Sequence, residues 1–304
     1  MKQTGGSRTI EGLAYYTFLS GFVVCCVAAA TYVLSALGGL TAYRQAATDA
    51  GTVSFPVSVS MPAGVDAVAR MMLWLALALL TLSLAFRAVA VERPPLGNLW
   101  EFTTALGWGM VLFTAAFERG FKERAIPTVM LPVAVGLMAV ALVFFPAEVS
   151  PLVPALQANR ILGIHVTTMV LAYSALSVSF GASVLYLMQA GRSGMRFARL
   201  PAPETLEDVA YWSVLVGFPL LTLGIALGAY WANSAWGRYW GWDPKETAAL
   251  LTWFVYAGYL HARSLRGWEG KRAAYLLLLG YGAVLFTYFA VNFLISGLHS
   301  YAGV

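Results

Sequence analysis

Charge is what this sequence has least of. Of its 304 residues only 11% are Asp, Glu, Lys or Arg, while 60% are hydrophobic. A soluble domain carries about 25% charged residues, so a water-facing surface is excluded, whereas a bundle whose outside is lipid is not. Cysteine is nearly absent: Cys25 and Cys26 are the two, adjacent and inside the first apolar run. They form no C-x-x-C pair and no zinc spacing, and read as small packing residues. That leaves the chain no obvious thiol-redox chemistry of its own. Histidine is almost as scarce, with three. The net charge of +5 does not signal nucleic acid, because no basic stripe with interleaved aromatics lies on a polar helix. The basic residues sit instead in short clusters between apolar runs, as in the loops of membrane proteins.

What is there is a succession of apolar runs, each near the twenty residues a membrane span needs. Eight are expected, at roughly 13–40, 69–91, 99–116, 126–146, 161–190, 208–231, 246–264 and 273–297. The fold class is therefore all-α, a polytopic membrane helical bundle, and residues 1–304 form a single integral membrane domain. The first run follows Lys2 and Arg8 but is too long for a signal-peptide core and reads as a retained span. No repeat, low-complexity tract or soluble domain interrupts the pattern. The longest polar stretch, 41–68, alternates weakly from Val53 to Met61, as a surface loop or a short interfacial element would.

Eight spans put both termini on one side. With the termini outside, twelve of the nineteen Lys and Arg residues fall on the inner side and seven on the outer, the bias expected of a cytoplasmic face. The second half carries this signal; the first half is nearly balanced.

The three histidines fall at telling depths. His165 lies near the outer start of the fifth run, His299 just past the outer end of the eighth, and His261 inside the seventh, towards its cytoplasmic end. An ionisable residue within a membrane points to function, because hiding it from water without a partner is costly. Two histidines meeting at one face suit axial ligation of a haem iron or another metal; ordinary hydrogen-bonded packing is the other reading.

Between the sixth and seventh runs the chain reads Trp231-Ala-Asn-Ser-Ala-Trp236-Gly-Arg238-Tyr239-Trp240-Gly-Trp242-Asp243-Pro-Lys245-Glu246-Thr247. A membrane-interface belt scatters its aromatics over many helix ends. Here they crowd into one segment, 231–247, beside glycines, and would make a flat apolar platform such as a porphyrin needs. Arg238 and Lys245 are the nearest cations for its propionates, or else snorkel to the interface. Asp243 is a good N-cap, Pro244 suits the first helical position and Glu246 the third. Asp243 and Glu246 thus read either as a capping box or as direct haem contacts.

The run Trp236-Gly-Arg-Tyr-Trp240-Gly-Trp242-Asp243-Pro-Lys-Glu closely resembles the tryptophan-rich WWD motif of haem-handling proteins in cytochrome c biogenesis. Flanking segments resemble the CcsA/ResC-type family: Asn98-Leu-Trp-Glu101, Glu118-Arg-Gly-Phe-Lys-Glu-Arg124, Thr252-Trp-Phe-Val-Tyr-Ala-Gly-Tyr-Leu-His261-Ala-Arg, and Ser296-Gly-Leu-His299-Ser-Tyr-Ala. The similarity runs from about residue 70 onward, and 41–68 looks like a lineage-specific insertion in the usual short first loop. The resemblance implies that His165 and His299 are axial ligands of a haem b lying against the WWD loop, with Trp236, Tyr239, Trp240 and Trp242 as its platform. It implies that His261 ligates a second haem, whose other ligand comes from a ResB/CcsB-type membrane partner.

The implied reaction is thioether formation between the haem vinyl groups and the two cysteines of an apocytochrome c C-x-x-C-H motif. A thiol-reducing protein is a further candidate partner, and the cell (inner) membrane the location. No side chain of this chain need act as nucleophile, since the attacking thiols belong to the substrate. Two rivals stand beside this synthase subunit. One is a haem exporter that hands its cargo to a separate chaperone. The other is an ion-coupled transporter, which would show inverted repeats or broken helices near midplane; the sequence suggests neither.

Overall fold

The computed structural model describes residues 5–37, 41–48, 51–58, 64–149, 152, 160–191, 194–195, 200–290, 295 and 297–298. Within them the chain forms α1 (Gly5–Leu37), β1 (Thr41–Thr48), β2 (Gly51–Ser58), α2 (Val65–Val91), α3 (Leu99–Phe121), α4 (Ile126–Phe144), α5 (Arg160–Gln189), β3 (Ala190–Gly191), β4 (Gly194–Met195), α6 (Pro203–Trp236), α7 (Pro244–Arg266) and α8 (Lys271–Leu285). A π-helical turn, Phe286–Ala290, continues α8.

Each of the eight expected apolar runs is a helix. Six of them, α1, α2, α4, α5, α6 and α8, are long and apolar enough to cross a membrane. The other two, α3 and α7, are 23 residues each, about 34 Å at 1.5 Å per residue, so length is not what sets them apart. α3 carries Glu101, Glu118 and Arg119 and is buried on nearly every side. It faces protein rather than lipid, so its polar groups can be met by neighbouring helices. α7 carries Lys245 and Glu246 at one end and His261, Arg263 and Arg266 towards the other.

Helix starts and stops follow local chemistry. Asn98 caps α3 by accepting the Glu101 N–H at 2.8 Å. Prolines sit in the first turns of α4, α6 and α7, where a missing N–H costs nothing. Gly237, at φ 71°, stops α6 and donates its N–H to the Asn233 carbonyl.

Two segments of the 41–68 stretch, 41–48 and 51–58, are strands. β1 and β2 pair as an antiparallel hairpin, Thr41 opposite Ser58 through to Thr48 opposite Gly51. Among the described residues these strands pair only with each other. β3 and β4 form a second, two-residue ribbon between α5 and α6.

Close packing rests on glycines set against large side chains. On α6, Gly217 meets Leu176, Gly224 meets Met169 and Gly228 meets His165, all three on α5. These spacings of seven and four on both helices make one contact seam, with Gly224-Ile-Ala-Leu-Gly228 as a small-xxx-small segment of the kind that lets membrane helices approach. The connection before α3 lies over the start of α5, where Gly97 abuts Leu152 and Gly163 abuts Pro94.

Candidate functional site at the aromatic end

The 237–243 connection and the turns around it define one end of the bundle. α6 runs on to Trp236, so the aromatic platform is split between the last turn of a helix and a seven-residue connection. Trp231, almost fully buried, packs edge-on to Trp236 with ring centroids 4.8 Å apart. Trp240 and Trp242 stand perpendicular, 5.8 Å between centroids. Tyr239 and Trp242 are 57% and 69% exposed, so the segment presents flat apolar rings outward rather than burying them. Trp242 also holds φ 56°, the left-handed region that costs a bulky residue roughly 1–2 kcal/mol. The other two such non-glycine residues among those described, Glu92 and Lys122, are helix C-caps. Backbone strain of this kind gathers at functional sites.

The capping box expected from Asp243-Pro-Lys-Glu246 is present. Asp243 accepts the Lys245 N–H at 3.1 Å, and Glu246 reaches back to the N–H groups of Asp243 at 3.1 Å and Gly241 at 2.8 Å. Thr247 donates its hydroxyl to the Asp243 carbonyl at 3.0 Å. The box thus ties down the aromatic connection as well as the helix start. Asp243 has a second partner that local sequence does not foretell: its Oδ1 accepts the Leu298 N–H at 2.6 Å. Gly297 makes that approach possible, since a Cβ there would fall 2.5 Å from the same oxygen. His299 itself lies outside the described residues, next in the chain to this clasp.

His165 stands about one and a half turns into α5. Its Nδ1 lies 2.7 Å from the Gly224 carbonyl. A carbonyl only accepts, so Nδ1 carries the proton and, in the neutral ring, Nε2 is the nitrogen with the lone pair. Ligating histidines are commonly oriented by just such a bond. The ring rests on Gly228, where a Cβ would come 2.6 Å from Cε1.

The two candidate cations differ. Arg238 is exposed and its guanidinium lies along Gly241. Lys245 is half-buried; burial pulls its ammonium down to about 8 against the opposing pull of Asp243. A charge cluster that sequence reasoning gave no role stands at the same end. Glu101, fully buried, accepts from Arg87 Nε at 2.9 Å, Arg93 Nη1 at 2.8 Å and Gly97 N at 2.7 Å. Arg87 also lies 5.1 Å over the Trp100 ring. The cluster locks the Asn98–Glu101 element against the end of α2.

His261 is placed elsewhere. It lies 17 residues along α7 from Pro244, roughly 25 Å down the axis, and cannot share an iron with His165. It is exposed on the flank of the bundle. Arg263, two residues further on, pairs with Glu207 at 3.4 Å and lies over the Tyr211 ring. Among the described residues no three His, Cys, Asp or Glu side chains gather to hold a bare metal ion.

These features define a polytopic helical membrane protein with an exposed aromatic connection at one end, clasped to Leu298 and flanked by a tautomer-fixed histidine. The chain belongs to the cytochrome C assembly protein family, whose model matches residues 96–299, and is of the CcsA/ResC type. It is 38% identical to the cytochrome c biogenesis protein CcsA of Synechococcus sp. (strain JA-3-3Ab) over 266 residues, covering 68% of this chain and 77% of that one. It is 38% identical to CcsA of Guillardia theta (73% and 81% covered) and 36% identical to that of Pyropia yezoensis (81% and 91%). In fold it resembles the solved cytochrome c heme lyase CcmF, with TM-score 0.68 and 18% identity, over 92% of this chain and 46% of that one. The match begins near Leu96, so the β1–β2 hairpin lies outside it.

Proposed function

We propose that this chain is the haem-handling subunit of a cytochrome c synthase, holding haem b at the outer face of the membrane while an apocytochrome c is joined to it. The observation that carries the reading is the Asp243–Leu298 clasp, which ties the residue before His299 to the aromatic connection. His165 and His299 are the axial ligands in this reading. Support for His165 comes from its Nδ1 bond to Gly224, which leaves Nε2 as the coordinating nitrogen. Trp236, Tyr239, Trp240 and Trp242 receive the porphyrin face, Arg238 and Lys245 the propionates, and Asp243 positions both halves of the site.

Each substrate thiol adds across a vinyl group: sulfur bonds to one vinyl carbon, the proton goes to the other, and nothing is oxidised or reduced. The protein's contribution is to hold peptide and porphyrin in one geometry, the largest effect available to a site without a nucleophile. The histidine of the C-x-x-C-H motif displaces one axial ligand as product forms. All eight helices cross the membrane, with the aromatic end outside, in keeping with the distribution of Lys and Arg. His261, exposed on α7, offers one ligand to a second haem completed by a ResB/CcsB-type partner.

The test is reconstitution of the chain with such a partner, haem and an apocytochrome under thiol-reducing conditions, followed by denaturing gels stained for covalent haem. Attachment that is lost with His165→Ala supports the reading. Haem binding without attachment under every partner combination would mark a carrier instead.

A further inference from the structure

At the aromatic end, the α2–α3 connection holds more positive charge than it can match. Arg87 and Arg93 share one carboxylate, that of Glu101. Its Oε1 accepts from Arg87 Nε at 2.9 Å and from Arg93 Nη2 at 3.4 Å. Its Oε2 accepts from Arg93 Nη1 at 2.8 Å and from the Gly97 N–H at 2.7 Å. A carboxylate offers about four lone-pair positions, so Glu101 has none to spare. Glu92, beside Arg93 in the chain, is exposed and is ion-paired with neither arginine. Two guanidinium groups against one carboxylate leave a surplus of one positive charge, in a place where charge is weakly screened. The shortage also shows at Arg87, whose buried Nη2 has no hydrogen-bond partner.

Arg93 is the member of the cluster that an outside anion can reach. Its side chain is 19% exposed, whereas Arg87 is buried. Arg93 Nη1 spends both hydrogens, one on Glu101 and one on the Pro94 carbonyl at 3.0 Å. The Nε–H and the second Nη2–H have no acceptor among the described residues. Those two hydrogens form the side edge of the guanidinium, a fork that matches a carboxylate or phosphate bidentately. The group is held in place from below: a Cβ at Gly97 would come 2.6 Å from its Cζ. The same connection sets Pro94 against Gly163, two residues before His165 on α5. The free edge thus belongs to the end of the bundle that carries the histidine and the aromatic connection.

We propose that Arg93 receives a propionate of the haem seated at this end, through that free edge, with Glu101 and Arg87 as positioning residues that hold its fork and keep the cluster electropositive. The inference rests on the reading of this end as a haem seat and adds a cation from the α2–α3 connection to Arg238 and Lys245. A lipid phosphate has the same oxyanion chemistry and is the competitor that the test separates.

The probes are ferric haem and its dimethyl ester, in which both carboxylates are capped, titrated into the full chain in phosphatidylcholine nanodiscs and followed by Soret absorbance. Arg93→Gln is expected to weaken haem roughly ten- to a hundredfold, the worth of a charge-assisted hydrogen bond, and to leave the ester unchanged. Arg93→Lys keeps the charge without the fork and is expected to recover part of the loss. A merely structural role would lower both affinities together, and that outcome overturns the proposal. So does haem binding that depends on His165 yet is indifferent to Arg93→Gln, which leaves the haem seat standing without this contact. Binding of both probes that is indifferent to His165→Ala would instead remove the haem seat itself. Phosphatidylglycerol discs supply the lipid arm: thermal stabilisation by that lipid, lost in Arg93→Gln while haem affinity stays the same, would mark a headgroup site and overturn the proposal.

Discussion

The carboxylate of Asp243 accepts the backbone N–H of Leu298 across 55 positions of sequence, at 2.6 Å. The same side chain caps α7. One residue therefore sets where the seventh helix begins and where the C-terminal segment, next to His299, is held. Asp243→Ala is expected to lose both functions, with about 1 kcal/mol from the cap alone and a fall in haem retained on purification. Asp243→Asn keeps an acceptor oxygen and should recover part of it. Equal haem content in all three proteins would detach the clasp from the site.

His165→Ala is expected to convert a low-spin haem spectrum to a five-coordinate one, with exogenous imidazole partly restoring assembly. A finer probe is Gly228→Ala. Alanine favours a helix interior by about 1 kcal/mol over glycine, but its methyl would crowd the His165 ring. A perturbed haem spectrum in a protein whose helix content is unchanged is the expected result. An unaltered low-spin spectrum in both variants would show that His165 is not a ligand.

Trp242 holds a left-handed backbone that glycine adopts freely. Trp242→Gly should therefore leave the haem-free thermal midpoint level or raise it slightly, while haem content falls. Trp240→Leu with Trp242→Leu keeps the hydrophobicity and removes the flat faces, and should also lower haem content. Normal loading of that double variant would reduce the aromatics to a membrane belt.

Glu101 bridges Arg87 and Arg93 in a buried cluster, the one carboxylate shared by two guanidinium groups. Removing one partner of such a cluster typically costs about 3–5 kcal/mol, because charge is left uncompensated. Glu101→Gln is expected to reduce membrane yield and thermal stability sharply, more than Arg93→Gln, whose side chain is 19% exposed. The comparison is read from detergent-solubilised melts of the two variants.

His261→Ala should leave the outer-face spectrum of the isolated chain intact. In the complex with a ResB/CcsB-type partner it should remove a second haem signal and slow cytochrome c assembly in cells. Unchanged stoichiometry and a normal assembly rate would leave His261 as a surface residue of α7.

The positions of all eight helices were legible because each is a long apolar run, and the start of α7 because a capping box is written in four consecutive residues. Hydropathy and charge separate α3 and α7 from the other six; that α3 is buried by its neighbours on nearly every side is visible only in the tertiary structure. The β1–β2 hairpin was only hinted at by a weak alternation, too faint without the register that pairing supplies. Histidines and tryptophans announced themselves by residue type, and the family resemblance rested on those same residues. Their arrangement did not. That His165 is seated on Gly228 and bonded to Gly224, that Leu298 is held by Asp243, and that Arg87 shares Glu101 with Arg93 are contacts between separate elements. Local sequence determines where a helix begins, ends and turns its apolar face, because those choices are settled within a few residues. Which side chains then meet is decided by close packing of whole helices, and only the tertiary structure carries that.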